Sequence, residues 1–183
     1  MIIFDLDGTL ANCEHRRHFV DTSKNPDVEH GIPPDAKMTP YMILRDYHKS
    51  TGKLWKPDWK AFYEACDKDT VIEPTKKVMR SLDFEHQDGP QARRIEIWSG
   101  RCASVRQKTE KWLSDNNIYY EALKMRPIGD NTPDDVLKEK WLDEAIKEGK
   151  KIEFVFDDRT KVLRMWQRRG IFVFNVNQTG EEF

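Results

Sequence analysis

Short apolar runs recur along this chain, each closed by a polar or acidic loop, and that recurrence limits the available folds more than any other feature. Residues 1–4 (Met-Ile-Ile-Phe), 95–98 (Ile-Glu-Ile-Trp), 152–156 (Ile-Glu-Phe-Val-Phe) and 171–176 (Ile-Phe-Val-Phe-Asn-Val) have this character, and residues 119–125 form a weaker example. Nearly continuous apolar runs suit strands buried on both faces. Between them lie segments of helical period. Residues 103–116 place Val105, Thr109, Trp112 and Leu113 on one face. A second helix is expected with Thr132 as N-cap, Pro133 as its first residue and Asp135 as the capping-box acid, running to about Lys147 and stopping at Gly149. A third passes through Val162, Leu163 and Trp166 and stops at Gly170. Strands alternating with helices predict an α/β fold, a doubly wound parallel sheet with helices on both faces.

Residues 12–80 break the alternation. Helical segments at 40–49, 57–66 and 73–82 are separated by Pro and Gly, with no convincing strand. The expected organisation is a core of residues 1–11 and 81–183 with a small helical cap, residues 12–80, inserted after the first strand and lying over one edge of the sheet. Hydrophobic residues at 38% and aromatic residues at 11% exclude a disordered chain. A net charge of -1 leaves no global field for nucleic acid or anionic lipid, so any polyanion must be held by a local basic patch. No apolar run approaches the roughly 20 residues that span a bilayer, and the first ten residues run straight into an acidic motif unlike a signal peptide. Cys13, Cys66 and Cys102 lack zinc-ligand spacing. They read as reduced thiols of a cytoplasmic protein.

Polar clusters fall at three predicted strand ends: Asp5 and Asp7, then Ser99, then Asp157 and Asp158. That edge of an open α/β sheet is where ligands bind. By itself Asp5-Leu6-Asp7-Gly8 suits an ordinary turn, and Asp157-Asp158 an ordinary loop. Their joint occurrence points to a site. Four carboxylates gathered there repel unless a cation joins them, and a hard ion with oxygen ligands, most simply Mg²⁺, satisfies the arrangement. Alternate side chains of an extended Asp5-Leu6-Asp7 lie on one side, so one carboxylate can attack a substrate while the other handles protons.

Phe4-Asp5-Leu6-Asp7-Gly8-Thr9-Leu10 resembles motif I of the haloacid dehalogenase superfamily, with Ser99 similar to motif II, a lysine to motif III and Asp157-Asp158 to motif IV. More narrowly, Trp98-Ser99-Gly100-Arg101, Asp134-Asp135-Val136-Leu137-Lys138, Asp157-Asp158-Arg159-Thr160 and Met165-Trp166 resemble the 3'-phosphatase domain of phage T4-type polynucleotide kinase. The resemblance implies that Asp5 attacks phosphorus and forms an aspartyl-phosphate. Asp7 would protonate the leaving oxygen, then activate water, and its backbone carbonyl would help hold the metal. Ser99 and Gly100 would hold phosphoryl oxygens, and Lys138 would neutralise charge. Asp157 and Asp158 would complete the Mg²⁺ shell. From its place beside Ser99, Arg101 can clamp a phosphate or the substrate backbone, and a surface salt bridge explains it equally well. Asp134 matches a family position near the site, and a first-turn acid offsetting the helix dipole explains it equally well. Arg16 and Arg17 receive no role.

Tyr41, Tyr47, Trp55, Trp59, Phe62 and Tyr63 of the insertion suit packing, with one or two available to stack on a base. No Gly-x-x-x-x-Gly-Lys-Ser/Thr is present, so kinase activity is not expected. The substrate implied is a phosphorylated nucleic acid 3' end or nucleotide. A nucleotidase acting on free nucleoside 5'-monophosphates is the alternative. A non-catalytic phosphoacceptor domain is a remoter one, because such domains place their acidic pair first. Arg159, Lys161, Arg164, Arg168 and Arg169 can form a basic surface or simply a solvated helix face. The sequence leaves the oligomeric state open.

Overall fold

Burial on both sides decides the centre of the sheet. Ile2, Ile3 and Phe4 are all fully or almost fully buried, and their strand β1 (Ile2–Phe4) pairs in parallel with β4 (Ile95–Cys102) on one side and β6 (Phe154–Asp157) on the other. The computed structural model describes residues 1–21, 56–84, 94–177 and 180. Beyond β4 lies β5 (Ala122–Arg126), and beyond β6 lies β7 (Phe172–Asn175), giving a five-stranded parallel sheet in the order β5-β4-β1-β6-β7. This is the doubly wound α/β sheet that the alternation predicts.

The period of two divides the core. Ile2 and Phe4 face a cluster with Met79, Trp112 and Leu113, contributed by α2 (Glu73–Phe84) and α3 (Arg106–Asp115). Ile3 faces the opposite cluster with Leu137, Trp141 and Leu142 of α4 (Asp134–Lys147) and Val162, Met165 and Trp166 of α5 (Thr160–Arg168). Alternate residues of one strand therefore hold helices on both faces. Val105, Thr109, Trp112 and Leu113 are buried as the helical period requires.

Three expectations are corrected. Thr132 does not cap α4: Pro133 occupies the cap with extended backbone (φ -53, ψ 146), and no side chain caps the helix. The reason is local, because the Thr132 amide donates to Asp130 Oδ1 at 2.7 Å and its carbonyl accepts from Arg126 Nη1. Next, β4 runs on through Ser99, Gly100 and Arg101, with a register shift between Ser99 and Cys102. Such a bulge re-aims side chains beside a site. Finally, residues 12–80 do contain strand: β3 (Thr70–Val71) pairs antiparallel with β2 (Ala11–Asn12).

The chain divides into two compact units, Met1–Asn12 with Asp69–Phe183, and Cys13–Lys68. Residues 69–80 thus group with the sheet rather than with the insertion, since Met79 of α2 packs in the core. In the second unit α1 (Trp59–Glu64) begins where Asp58 accepts from the Ala61 amide at 2.9 Å. There Arg16 donates to the Phe62 carbonyl and lies over its ring at 4.1 Å, while Trp59 stacks on Tyr63. The helix expected over 40–49, with Tyr41, Tyr47 and Trp55, lies outside the described residues. No helix among the described residues is long and apolar enough to cross a membrane.

Leu113 is fully buried between α3 and the sheet. Leu113→Ala is expected to lower unfolding free energy by about 2–5 kcal/mol, read from urea denaturation. A loss below about 1 kcal/mol contradicts this account of the core.

Candidate active site

Asp5 follows β1 directly, and its amide continues the ladder by donating to the Phe156 carbonyl at 2.9 Å. Its neighbour Asp157 ends β6, so the sheet sets these two carboxylates side by side. Lys138 reaches them from α4. Its Nζ donates to Asp5 Oδ1 at 2.6 Å and to Asp157 Oδ2 at 2.7 Å, with the lysine 1% exposed. The other Asp157 oxygen accepts from the amides of Asp158 and Arg159 at 3.0 and 3.3 Å. Asp158 Oδ1 accepts from Thr9 Oγ1 at 3.4 Å.

Asp5, Asp157 and Asp158 offer carboxylate oxygens that all lie within 4.8 Å of one another. Burial drives the Asp5 carboxyl well above the ordinary range, and the charges of Asp157 and Asp158 add to this against the pull of Lys138. Burial, followed by the charge of Asp157, pushes Asp158 up to about 7. For Lys138, burial favours the neutral amine, yet Asp157, Asp5 and Asp134 outweigh it and hold the ammonium above its ordinary range. One buried cation thus serves a cluster still rich in negative charge. An all-oxygen donor set of this kind fits a hard divalent cation.

Asp7 is not one of that trio. Arg101 Nε donates to its Oδ2 at 3.2 Å, and Arg101 Nη2 donates to its Oδ1. The same guanidinium donates to Asp69 Oδ2 at 2.8 Å and to Thr109 Oγ1 at 3.2 Å. Of the two roles the sequence allows Arg101, a substrate contact or a salt bridge, its fork here makes the ion pairs, gripping two acids and a hydroxyl while buried rather than at the surface. Its amide donates to Ser99 Oγ at 3.1 Å, which leaves the Ser99 hydroxyl proton available to another acceptor.

Asp134 forms a third charge centre, with salt bridges to Arg126 Nη2 and Arg159 Nη1. Although burial opposes it, Lys138, Arg159 and Arg126 hold the Asp134 carboxyl below its ordinary range. Two glycines permit this crowding. A Cβ on Gly100 would stand 2.2 Å from Asp134 Oδ1, and one on Gly8, at φ +87, would stand 2.1 Å from Asp158 Oδ2. Neither position has room for a side chain. At the end of α5, Arg168 pairs with Glu139, and the capping residue Arg169 with Glu139 and Asp143, so part of the anticipated basic surface is neutralised. Asp69 and Arg126 carry no local signal in the sequence that marks them as partners of the site.

The family model described as the polynucleotide kinase PNKP phosphatase domain matches residues 58–181. An Autographa californica nuclear polyhedrosis virus protein described as a bifunctional polynucleotide kinase/RNA ligase is 28% identical over 201 residues, covering 92% of this chain and 29% of that protein. The chain therefore spans under a third of the length of this relative. A chain of the Pnkp1/Rnl/Hen1 RNA repair complex shares the fold at TM-score 0.61 and 23% identity, covering 95% of this chain and 41% of the other. A Clostridium difficile phosphatase structure does so at TM-score 0.58 and 15% identity, covering 95% and 83%. The family match takes in well over half of the sequence, and the chain belongs to the PNKP phosphatase domain family of haloacid dehalogenase-type phosphatases.

Proposed function

We propose that this phosphatase is a Mg²⁺-dependent phosphomonoesterase that works through an aspartyl-phosphate on Asp5 and removes 3'-phosphates from nucleic acid ends or nucleotides. The observation that carries the reading is the seating of Asp5. Its carboxylate is fixed by Lys138 at 2.6 Å inside a cluster with Asp157 and Asp158. A divalent cation bound by Asp5, Asp157 and Asp158 would supply neutralising charge for the phosphoryl oxygens. Asp5 attacks phosphorus while Lys138 orients its carboxylate and offsets the charge gathering there. Asp7 gives a proton to the departing oxygen and later takes one from the water that cleaves the acyl-phosphate. Ser99 donates its hydroxyl proton to a phosphoryl oxygen beside the bulge at Gly100. Asp134 ties Arg159 and Arg126 around that bulge.

Support for a nucleic acid substrate comes from the descriptions of the relatives, a polynucleotide kinase phosphatase domain, a kinase/RNA ligase and an RNA repair complex, and the choice of the 3' phosphate rests on the resemblance carried by residues 98–101, 134–138 and 157–160. The ion pairs of Arg168 and Arg169 with Glu139 and Asp143 favour the second reading, a nucleotidase acting on free 5'-monophosphates, because they reduce the cationic surface open to a polyanion.

Asp5→Asn should fold normally and lose phosphate release, because a near-isosteric amide cannot form the acyl-phosphate. Turnover within about tenfold of the native rate removes Asp5 as nucleophile.

The metal-free protein should show a falling thermal midpoint as pH rises through about 7 in chelator, owing to Asp158. A carboxyl raised in the folded state contributes stability that is full below the ordinary carboxylate pKa and lost as pH rises through the folded value. Mg²⁺ added at pH 8 should restore the midpoint, and Asp158→Asn should reduce both effects. A native midpoint indifferent to Mg²⁺ contradicts the metal assignment.

At one salt concentration, kcat/KM for a 3'-phosphorylated oligonucleotide should exceed that for a deoxynucleoside 5'-monophosphate by about tenfold or more. The opposite order replaces this reading with the nucleotidase.

A further inference from the structure

Asp69 lies outside every motif of the sequence, yet the fold returns it to the first one. The loop after β1 is tight: the Gly8 amide donates to the Ala11 carbonyl at 2.8 Å, and β2 leaves immediately. Strand β3 pairs back onto β2 with Asn12 opposite Thr70, so the residue just before β3 is carried to the level of that loop. Its backbone is pinned there, since Trp112 Nε1 donates to the Asp69 carbonyl at 2.7 Å and the Ile72 amide donates to the Leu10 carbonyl at 2.8 Å. The Asp69 carboxylate then accepts from Arg101 Nη2 at 2.8 Å.

The guanidinium is therefore gripped on several sides. Nε and Nη2 face Asp7, Nη2 also faces Asp69, and Nη1 faces Thr109. A planar fork held at separate nitrogens cannot rotate about its stem without breaking one of these bonds. Exposure grades along the chain of contacts: the Asp69 and Arg101 side chains are 0% exposed and that of Asp7 is 15%. Two buried members thus hold a third that opens toward solvent, an arrangement suited to fixing the Asp7 carboxyl in one orientation.

We infer that Asp69 is a positioning residue for proton transfer by Asp7, acting through Arg101. This rests on the proposed role of Asp7. In the step concerned, an Asp5 oxygen forms a bond to phosphorus as the bond from phosphorus to the sugar oxygen breaks. The Asp7 carboxyl proton passes to that oxygen, which leaves as an alcohol. Without Asp69 the guanidinium keeps Asp7 and Thr109 but loses the buried carboxylate behind it, and the angle at which Asp7 meets the leaving oxygen is less tightly fixed. Nucleophilic attack by Asp5, governed by Lys138, is left in place.

The test varies the leaving group. A sugar oxygen needs a proton to depart, whereas nitrophenolate departs without one. Phosphoryl transfer to Asp5 is the step that kcat/KM reports, since it releases the leaving group. For Asp69→Ala, kcat/KM on a 3'-phosphorylated oligonucleotide should fall by about 30-fold or more, against about threefold or less on p-nitrophenyl phosphate. Asp69→Asn, which keeps one acceptor oxygen, should fall between Asp69→Ala and the native protein. The ratio of the two substrates is measured on one sample, so a reduced folded fraction scales both rates equally and cancels. A ratio within twofold of native for both Asp69 variants overturns the inference. Asp7→Asn separates the two levels: if it raises the ratio while the Asp69 variants do not, only the role of Asp69 falls. If Asp7→Asn leaves the ratio at the native value, the proton-donor reading falls and the inference with it.

Discussion

The buried Lys138 ammonium is the contact on which the rest of the site depends. It joins three elements that are distant in sequence: the end of β1 through Asp5, the end of β6 through Asp157, and α4 through its own backbone. Burying such a triad yields little net stability, because desolvation offsets the attraction, while deleting one partner of a buried pair typically costs about 3–5 kcal/mol. The consequence is geometric. Two carboxylates that would spread apart in water are held on one nitrogen, at 2.6 and 2.7 Å, with Asp158 alongside. That is a high local density of negative charge on oxygen, and it is why the cluster fits a small divalent ion.

The remaining acids follow the same logic with different cations. Asp7 is held by Arg101, and Asp134 by Arg126 and Arg159. Asp7 and Asp134 therefore have cationic partners of their own, drawn from other elements, while Asp5 and Asp157 share Lys138. The bulge in β4 is what allows two of these pairs to approach each other. It carries Arg101 toward Asp7, and it presents at Gly100 a backbone with no side chain where Asp134 stands. A methyl group at residue 100 would collide with the Asp134 carboxylate, so this glycine is set by packing against an acid rather than by a turn.

Much of the fold was legible because buried parallel strands and amphipathic helices leave different periods in a sequence. The runs at residues 1–4, 95–98, 152–156 and 171–176 became β1, β4, β6 and β7, and the face of Val105, Thr109, Trp112 and Leu113 was buried as expected. Asp5, Lys138, Asp157 and Asp158 were legible for a related reason: strand ends are local features, and the resemblance supplied the lysine. What escaped depends on tertiary neighbours. A two-residue pairing such as β2 with β3 has too few residues to show a period. Thr132 fits a capping pattern, but Asp130 and Arg126 claim its backbone first. The partners of Arg101 escaped because no local signal tells an arginine which acid it will meet, and Asp69 is 32 residues away.

Substrate choice stands apart from this chemistry. Asp5, Asp7, Ser99, Lys138, Asp157 and Asp158 all belong to the unit formed by Met1–Asn12 and Asp69–Phe183. In the mechanism proposed above their contacts serve a phosphoryl group and the oxygen leaving it, neither of which distinguishes a polynucleotide from a mononucleotide. Affinity for a chain of phosphates grows with each cation that releases a counterion, and a cation already paired with a neighbouring carboxylate contributes less. Arg159, Arg168 and Arg169 are paired in this way, each with an acid of α4. Lys161 and Arg164 of α5 are exposed. The ion-paired arginines in and beside α5 therefore add little to the hold on a chain of phosphates, and the cluster around Lys138 does not by itself set the length of a substrate.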